Sequence, residues 1–176
     1  MNALQGKTVR QVVMALRADD HNQERLSNWL QAVQQLNAEY VLLVSEPRAD
    51  RVATILGQQF NEAEKQLKGA DINWTIVRTN FFTDNLLFYA KDIKSKKRLA
   101  LPLSSDGSFA PIQADDAATA VCTILSDCQK HHGKVYELTG SKTKVNILAS
   151  LYGLVADSCR VSLDWGGFGS STLWHF

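Results

Sequence analysis

Short apolar runs and segments of helical period alternate along the first half of this chain. The runs are Val9 to Leu16, Tyr40 to Val44 and Ile72 to Val77, and they have the composition of buried strands. Segments with apolar residues at helical spacing follow the first two runs, at His21 to Asn37 and Ala49 to Lys68. Strands that alternate with helices indicate a parallel sheet with right-handed crossovers. The sequence therefore predicts an α/β fold.

The stretch from Trp74 to Leu87 links the third predicted strand to the second half of the chain. We predict a polar turn at Arg78 to Asn80, then two aromatic residues, then a helix with Thr83 as its N-cap. The apolar face of that helix consists of Leu86, Leu87, Ala90 and Ile93. Ligands of open α/β sheets bind just beyond the carboxyl ends of the strands. Arg78 to Phe82 are therefore the first residues to consider for a binding site.

The patterns in the second half of the chain are shorter. Strands are predicted at Leu99 to Leu103, Phe109 to Ile112 and Val135 to Leu138. Asp115 or Asp116 is expected to cap the helix that lies between the second and third of these strands.

The expected domain organisation is simple. Residues 1–160 are predicted to form one domain, in which the parallel sheet and its flanking helices are followed by a small C-terminal α+β part. A last helix is predicted at Ile147 to Val155. Residues 161–176 contain glycines and aromatics without a sustained period, so we predict an irregular tail and assign it no role.

Charge and composition exclude several classes of partner. The formal net charge is +1, so nothing indicates nucleic-acid binding or attraction to a membrane surface. No apolar run approaches the roughly 20 residues that span a bilayer, and the N-terminus lacks an apolar signal core. Cys122, Cys128 and Cys159 lack metal-ligand spacing, and we interpret them as free thiols in a reducing compartment. We expect a soluble cytoplasmic protein.

Several polar residues are interpreted as structural rather than catalytic. His131 and His132 are adjacent, and no cysteine or carboxylate stands at ligand spacing, so we predict loop residues and no metal site. Arg78 is expected to be a structural cation bound to a carboxylate such as Asp116. No Ser/His/Asp order and no nucleophile elbow is present.

Four segments together carry a resemblance to a known family. They are NAEYVLLVSEPRAD, ADINWTIVRTNFFTDNLL, APIQADDAATAVCTIL and HHGKVYELTGSK, in this order and spacing within Val9 to Ser150. The chain resembles the NmrA-like family of atypical short-chain dehydrogenases/reductases. The resemblance implies a Rossmann-type parallel sheet, NADP or NAD as cofactor, and a small carbonyl or quinone-like compound as substrate or sensed ligand.

Two departures from the family pattern bear on fold and chemistry. Family members hold the dinucleotide pyrophosphate on a Gly-rich turn after the first strand, whereas Gly6 is the one glycine near the first strand here. That strand, Val9 to Leu16, resembles the fourth strand of the complete fold. We therefore expect an incomplete Rossmann-type sheet whose open edge self-associates or binds a protein partner. Phe60 and Glu64 replace the catalytic Tyr and Lys of the wider superfamily, which leaves enzymatic activity an open question.

The resemblance also implies roles for individual residues. Thr79 and Asn80 are expected to contact the nicotinamide-ribose, and Phe81 is either a packing residue or a wall of the pocket. Ser45, at the end of the second strand, either contacts the cofactor or substrate or is a turn hydroxyl. Arg17, just after the first strand, either approaches the adenine or a phosphate or is solvated. The catalytic residues stay unassigned.

Two functions follow from these expectations. The first is an NAD(P)-binding domain of oxidoreductase descent that reduces or senses a small carbonyl or quinone-like compound and positions it through Ser45, Thr79 and Asn80. The second is a non-catalytic regulatory or protein-interaction module, a shortened form that keeps the fold and binds no cofactor. Titration with NADPH and NADH distinguishes the two.

Overall fold

A computed structural model of the chain describes residues 9–16, 22–51, 54–96, 107–144 and 147. In chain order the elements are β1 (Gln11–Ala15), α1 (Asn22–Gln35), β2 (Tyr40–Ser45), a 3-10 helix (Ala49–Arg51), α2 (Ile55–Gly69), β3 (Asn73–Thr79), a second 3-10 helix (Thr83–Tyr89), α3 (Ala90–Lys96), β4 (Ser108–Phe109), α4 (Ala114–Ser126), α5 (Cys128–His131), β5 (Lys134–Leu138) and β6 (Thr143–Lys144).

The described residues fall into two compact units. The first unit contains those up to Thr79 and from Ala118 to Leu138, and the second contains those from Asn80 to Ala117 and from Thr139 onward. A four-stranded sheet of order β1-β2-β3-β5, parallel throughout, occupies the first unit. This sheet and the helices packed against it confirm the predicted α/β fold.

Different helices cover the two faces of the sheet in the first unit. Alternate residues of β1, β2 and β3, among them Met14, Leu43 and Ile76, pack with side chains of α1 and α2. On the other face, Leu42 packs with Ile124 of α4. A strand that is covered on both sides has no polar face, and this explains why β2 reads as a continuous apolar run.

Local residues mark the start of α2 and the end of α1 on the first face. The Oγ1 atom of Thr54 accepts a hydrogen bond from a backbone N–H in the first turn of α2, at 2.9 Å. The sequence predicted one helix from Ala49 to Lys68, but a 3-10 helix ends at Arg51 and α2 begins at Ile55. After α1, Asn37 has a φ of 50°, a left-handed conformation that asparagine adopts readily at helix ends.

The third strand is longer than the sequence predicted. Arg78 and Thr79 lie within β3, so the prediction of a turn at these two residues is wrong. Ser45 of β2 and Glu137 of β5 pair with Arg78 on its two sides. Arg78 has backbone partners on both neighbouring strands and Thr79 has one on β5, so the strand continues through both residues.

The second unit begins with the segment after β3. Thr83 does not cap the 3-10 helix that follows, because the residue at the cap position is Phe82 and no side chain bonds there. The backbone N–H of Thr83 instead donates to Ile112 O at 2.9 Å, next to a bridge between Phe82 and Ile112. Leu87, expected on a buried face, is 75% exposed. Both predictions are therefore wrong.

A small antiparallel pair of strands, β4 with β6, also belongs to the second unit. The predicted strand at Phe109 to Ile112 overlaps β4 only at Phe109. Nearby, Gly140 N donates to Ala110 O at 3.3 Å. A Cβ atom added to Gly140 would lie 1.8 Å from Pro111 O, so this close approach of two backbones requires glycine.

Asp115 and Asp116 lie in the first turn of α4. The prediction that one of them caps the helix is wrong, because the helix begins at Ala114. The N–H of Ala114 donates to Asp84 Oδ2 at 3.1 Å, so an acidic residue from another segment takes that role within the second unit. Carboxylates in the first turn still interact favourably with the positive end of the helix dipole.

β1 lies at one edge of the sheet, as the sequence predicted. Within the described residues it pairs with β2 alone. Its Val13 is 42% exposed, while the neighbouring Met14 is fully buried. The predictions for Arg17, for Leu99 to Leu103 and for residues 148–176 lie outside the described residues.

Candidate functional site

Polar residues form one row across the carboxyl end of the sheet in the first unit. The strand register pairs Ser45 of β2 with Arg78 of β3, and Arg78 with Glu137 of β5. Residues paired across parallel strands share a face of the sheet, and here it is the face covered by α2. Ser45 is 4% exposed and Arg78 is 6% exposed. Buried polar groups such as these need hydrogen-bond partners, from the protein or from a ligand.

Glu64 of α2 satisfies both of them. Its Oε1 accepts hydrogen bonds from Ser45 Oγ at 2.8 Å and from Arg78 Nε at 2.9 Å. Its Oε2 accepts from Arg78 Nη2 at 2.8 Å and from Lys68 Nζ at 3.3 Å. The pairing with the guanidinium is bidentate, the strongest geometry for such a pair. We call Ser45, Glu64, Lys68 and Arg78 the Arg78 cluster.

Two further carboxylates contact the outer side of the guanidinium. Arg78 Nη1 lies 3.1 Å from Asp50 Oδ1 and 3.4 Å from Glu137 Oε1. These two side chains are 60% and 54% exposed, whereas the Glu64 side chain is 1% exposed. Charges in water contribute little to stability, so Glu64 is the partner that compensates the burial of Arg78.

The cluster keeps its two central groups ionised. Burial alone would raise the pKa of Glu64, but hydrogen bonds from Arg78 and Ser45, together with the charges of Arg78 and Lys68, hold that pKa below its ordinary value. Hydrogen bonding to Glu64 raises the pKa of Arg78 in spite of its burial. Neither group therefore exchanges a proton near neutral pH. The arrangement is suited to holding α2 against the strand ends, and not to acid-base chemistry.

The sequence predicted the structural role of Arg78 but named the wrong partner. Arg78 binds Glu64, which lies 14 residues earlier in the chain, and not Asp116. From the sequence, Glu64 was considered only as the residue that replaces the superfamily's catalytic Lys, a role for which its charge is wrong. One signal was available, because Glu64 stands on the apolar stripe of α2 between Phe60 and Leu67, both buried. An acid on such a stripe requires a buried cation.

The other predicted contact residues occupy separate places. Thr79 is the last residue of β3 and is 6% exposed. Asn80 begins the second unit, and its Oδ1 accepts a hydrogen bond from Phe81 N at 2.7 Å. Phe81 is half-buried and packs edge to face against Phe109, with ring centroids 6.2 Å apart. Arg17 lies outside the described residues.

Glu46, which the sequence analysis did not single out, follows β2 directly. Its Oε2 is buried and has no hydrogen-bond partner in the described part of the chain. Burial raises the pKa of Glu46. Its carbonyl oxygen accepts from Ala49 N at 3.3 Å, and Arg48 has a φ of 60°. With Pro47 before Arg48, this is the sequence and geometry of a type II turn, which fixes the loop.

Both histidines make contacts within the first unit. His131 ends α5, not a loop as predicted, and its Nδ1 lies 2.8 Å from Tyr136 Oη. His132 Nδ1 accepts a hydrogen bond from Trp74 N at 3.2 Å. The described ranges contain no group of three or more His, Cys, Asp or Glu side chains placed to share a metal ion. Nor does any helix in those ranges have the length and apolarity needed to cross a membrane.

A dinucleotide requires polar contacts to its rings and sugars and a cradle for its pyrophosphate. Ser45 and Thr79 are polar residues at the ends of β2 and β3, and Glu46 directly follows β2. A pyrophosphate needs glycines that let the backbone approach it. Residues 16–21, between β1 and α1, contain no glycine, and neither do residues 46–48 after β2. The turns after β1 and β2 therefore lack a pyrophosphate cradle of the usual kind.

No known family profile matches this sequence, but characterised proteins align with it. An NAD(P)H azoreductase of Xenophilus azovorans is 32% identical over 85 residues, which cover 48% of this chain and 29% of that protein. Quinone oxidoreductase 2 of Escherichia coli (strain K12) is 27% identical over 113 residues, which cover 64% of this chain and 39% of that protein. The matched region is thus well under half of either relative.

Solved structures match over most of this chain. The Escherichia coli NADPH-dependent quinone oxidoreductase complexed with NADPH has a TM-score of 0.75 and 24% identity, covering 87% of this chain and 55% of that one. The Citrobacter sp. triphenylmethane reductase complexed with NADP(H) has a TM-score of 0.73 and 15% identity, with coverages of 85% and 56%. A Staphylococcus aureus nucleoside-diphosphate-sugar epimerase has a TM-score of 0.72 and 21% identity, with coverages of 88% and 57%.

These likenesses bear on the fold. At such identities they show a shared architecture, and they confirm the predicted Rossmann-type parallel sheet with flanking helices. The chain spans little more than half the length of each of the three solved structures. We conclude that this protein has the Rossmann-type fold found in NAD(P)-linked reductases and a sugar epimerase.

Proposed function

We propose that this chain acts as an NmrA-like, NAD(P)-linked oxidoreductase domain on a quinone-like or small carbonyl compound. The observation that supports this most is that an Escherichia coli quinone oxidoreductase matches the chain both in sequence and in structure. The azoreductase and the triphenylmethane reductase add relatives named for the reduction of azo and triphenylmethane compounds. The chain covers only part of each relative, so the activity of these whole proteins is proposed for it.

NADPH or NADH would supply the hydride when it is bound. This chain would position the cofactor and the substrate. The Arg78 cluster holds the ends of β2 and β3 against α2. Thr79 and Asn80 would contact the nicotinamide-ribose, with Phe81 beside them. Asn80 uses its carbonyl oxygen locally, so its amino group would be the donor to a ligand. Ser45 donates its proton to Glu64 and would therefore offer a ligand only an oxygen lone pair.

Cofactor titration tests the proposal. NADPH and NADH are added while cofactor fluorescence and the unfolding midpoint are followed. Stabilisation should reach about 2.7 kcal/mol when the free cofactor is at 100 times its dissociation constant. Reduction of tetramethyl-1,4-benzoquinone is then measured from the loss of NADPH absorbance. No shift at millimolar cofactor would reject cofactor binding by this chain and favour the non-catalytic module.

Two asparagines, one at the start of β3 and one directly after its end, allow a test with a matched control. Asn80→Ala removes the proposed ribose contact and should weaken NADPH binding about tenfold, the loss that corresponds to one hydrogen bond of about 1.4 kcal/mol. Asn73 begins β3 at its opposite end, where its side chain donates to Glu39 O. Asn73→Ala should leave NADPH binding unchanged. Equal effects of the two substitutions would contradict the assignment.

The open edge of β1 supports a proposal about assembly. β1 pairs on one side within the described residues, and its Val13 is 42% exposed. We infer that this edge self-associates or takes a strand of a protein partner. Sedimentation velocity should detect a dimer that Val13→Lys weakens. If the protein stayed monomeric at every concentration up to 100 times that used in the cofactor titration, self-association would be excluded.

A further inference from the structure

Most hydrogen-bond donors at the carboxyl end of β2 and β3 are already used inside the first unit. Ser45 donates its one proton to Glu64. Arg78 donates through Nε and Nη2 to Glu64 and through Nη1 to Glu137. Ser45 therefore has no proton left for a carbonyl oxygen of a ligand, which can only accept hydrogen bonds.

Glu46 directly follows Ser45 at the carboxyl end of β2, and one of its side-chain oxygens remains unsatisfied among the described residues. One of its carboxyl oxygens is buried without a partner in the part of the chain that the structure describes. Buried polar atoms in folded proteins are nearly always bonded, and each exception needs a reason such as a ligand. The turn that follows, closed by the bond from Ala49 N to Glu46 O and by the left-handed Arg48, holds this residue in place.

We propose that the Glu46 carboxyl group is a substrate contact that donates a hydrogen bond to a carbonyl oxygen of a quinone-like ligand. This inference rests on the proposed function and deepens it by naming the donor. It concerns binding alone and adds no redox step.

The chemistry of the carboxyl group fits this role. A protonated carboxylic acid donates one hydrogen bond, whereas a carboxylate only accepts. Burial raises the pKa of Glu46 and so favours the protonated form. Glu64, by contrast, has its pKa lowered by Arg78 and stays ionised against burial. The two acids thus have opposite environments: burial favours the protonated form of Glu46, and the Arg78 cluster favours the ionised form of Glu64.

The test compares two substitutions of Glu46 in the full chain. Glu46→Gln keeps the size of the side chain and an N–H donor, whereas Glu46→Leu removes every polar atom. Binding of tetramethyl-1,4-benzoquinone is measured by isothermal titration calorimetry with and without NADPH. The methyl groups of this quinone block addition of the exposed Cys122 thiol. Glu39→Leu is the matched control, because Glu39 is exposed and directly precedes β2 as Glu46 directly follows it.

We expect Glu46→Leu to weaken quinone binding tenfold or more, and Glu46→Gln to change it less than threefold. Glu39→Leu should bind as the unsubstituted chain does. Without ligand, the unfolding midpoint of the Glu46→Leu variant should stay the same or rise, because an unsatisfied buried oxygen has been removed. A residue that served only the fold would instead lower the midpoint in both Glu46 variants.

Each other outcome has a distinct meaning. Unchanged quinone binding in Glu46→Leu would overturn the inference and leave the proposed function standing, since the buried oxygen would then bind water only. A lowered unfolding midpoint in both Glu46 variants with unchanged binding would also overturn it. If the unsubstituted chain bound NADPH but no quinone, both the inference and the proposed substrate class would fail. NADPH binding is measured separately, so failure of the cofactor assignment is recognised independently.

Discussion

Replacing Glu64 by glutamine tests the buried ion pair that joins α2 to the strand ends. The carboxylate accepts four hydrogen bonds, from Ser45 at 2.8 Å, from Arg78 at 2.9 and 2.8 Å, and from Lys68 at 3.3 Å. Glutamine keeps one oxygen and the same shape. It places an amino group, itself a donor, beside a donor nitrogen of Arg78 or Lys68. The guanidinium is then buried with only exposed Asp50 and Glu137 as anionic partners.

The expected cost follows from the burial of both partners. The Glu64 side chain is 1% exposed and that of Arg78 is 8% exposed. Removing one partner of a buried pair costs about 3–5 kcal/mol, because the other charge stays buried and uncompensated. For a chain of this length each kcal/mol lowers the unfolding midpoint by about 2–4 °C, so Glu64→Gln should lower it on the order of 10 °C.

The dependence on pH supplies a second readout. The pKa of Glu64 is lower in the folded chain than in the unfolded one, so its contribution is complete above the ordinary glutamate pKa of about 4.3. The contribution is lost as the pH falls through the lowered, folded-state pKa. Glu64→Gln should therefore lose less stability between pH 5 and acid than the unsubstituted chain does.

Urea unfolding followed by circular dichroism measures these effects. Glu62→Gln is the matched control, since Glu62 is on the same helix, is half-buried and accepts a hydrogen bond from Gln66 Nε2 at 3.3 Å. It should change stability by less than about 0.5 kcal/mol. The double variant Glu64→Leu/Arg78→Met should recover part of the loss, because no unpaired charge remains. Equal losses in Glu64→Gln and Glu62→Gln, or a loss below about 1 kcal/mol in Glu64→Gln, would refute the reasoning.

Two further substitutions test local features. Gly140→Ala should destabilise the second unit and expose it to limited proteolysis, because the added Cβ would lie 1.8 Å from Pro111 O. Gly69→Ala, with nothing within 4 Å of its added Cβ, should be neutral or stabilise by up to about 1 kcal/mol. Thr54→Ala should cost about 0.5–2 kcal/mol in urea unfolding through loss of the α2 cap, and Thr83→Ala should cost less. A larger loss for Thr83→Ala, or an unaffected Gly140→Ala, would count against the described geometry.

The sequence was sufficient to predict the strands of the main sheet. β1, β2, β3 and β5 all overlap the apolar runs from which they were predicted, and their parallel order follows from the helices between them. Element ends were less predictable. Arg78 and Thr79 were predicted to form a turn, yet they continue β3, because β2 and β5 offer backbone partners to Arg78 and β5 offers one to Thr79.

Prediction of the candidate site was less complete. Position at a strand end identified Ser45, Thr79 and Asn80, and their roles as ligand contacts stay predictions. Glu46 and Glu64 were missed as site residues, because nothing in the local sequence shows how deeply a carboxylate will be buried or which group it will meet. Burial depends on where α2 and the loop after β2 pack, and that is a property of the whole sheet.

The sequence by itself determined the class of fold, since the period of its apolar residues decides which segments become strands and which become helices. It also determined that no glycine-rich turn follows β1 or β2. The tertiary structure alone decided that Arg78 lies beside Ser45 and Glu137 and above Glu64. The physical reason is range: backbone periodicity is local, whereas a buried charge must be matched by whichever opposite charge the packing of distant segments brings within hydrogen-bond distance.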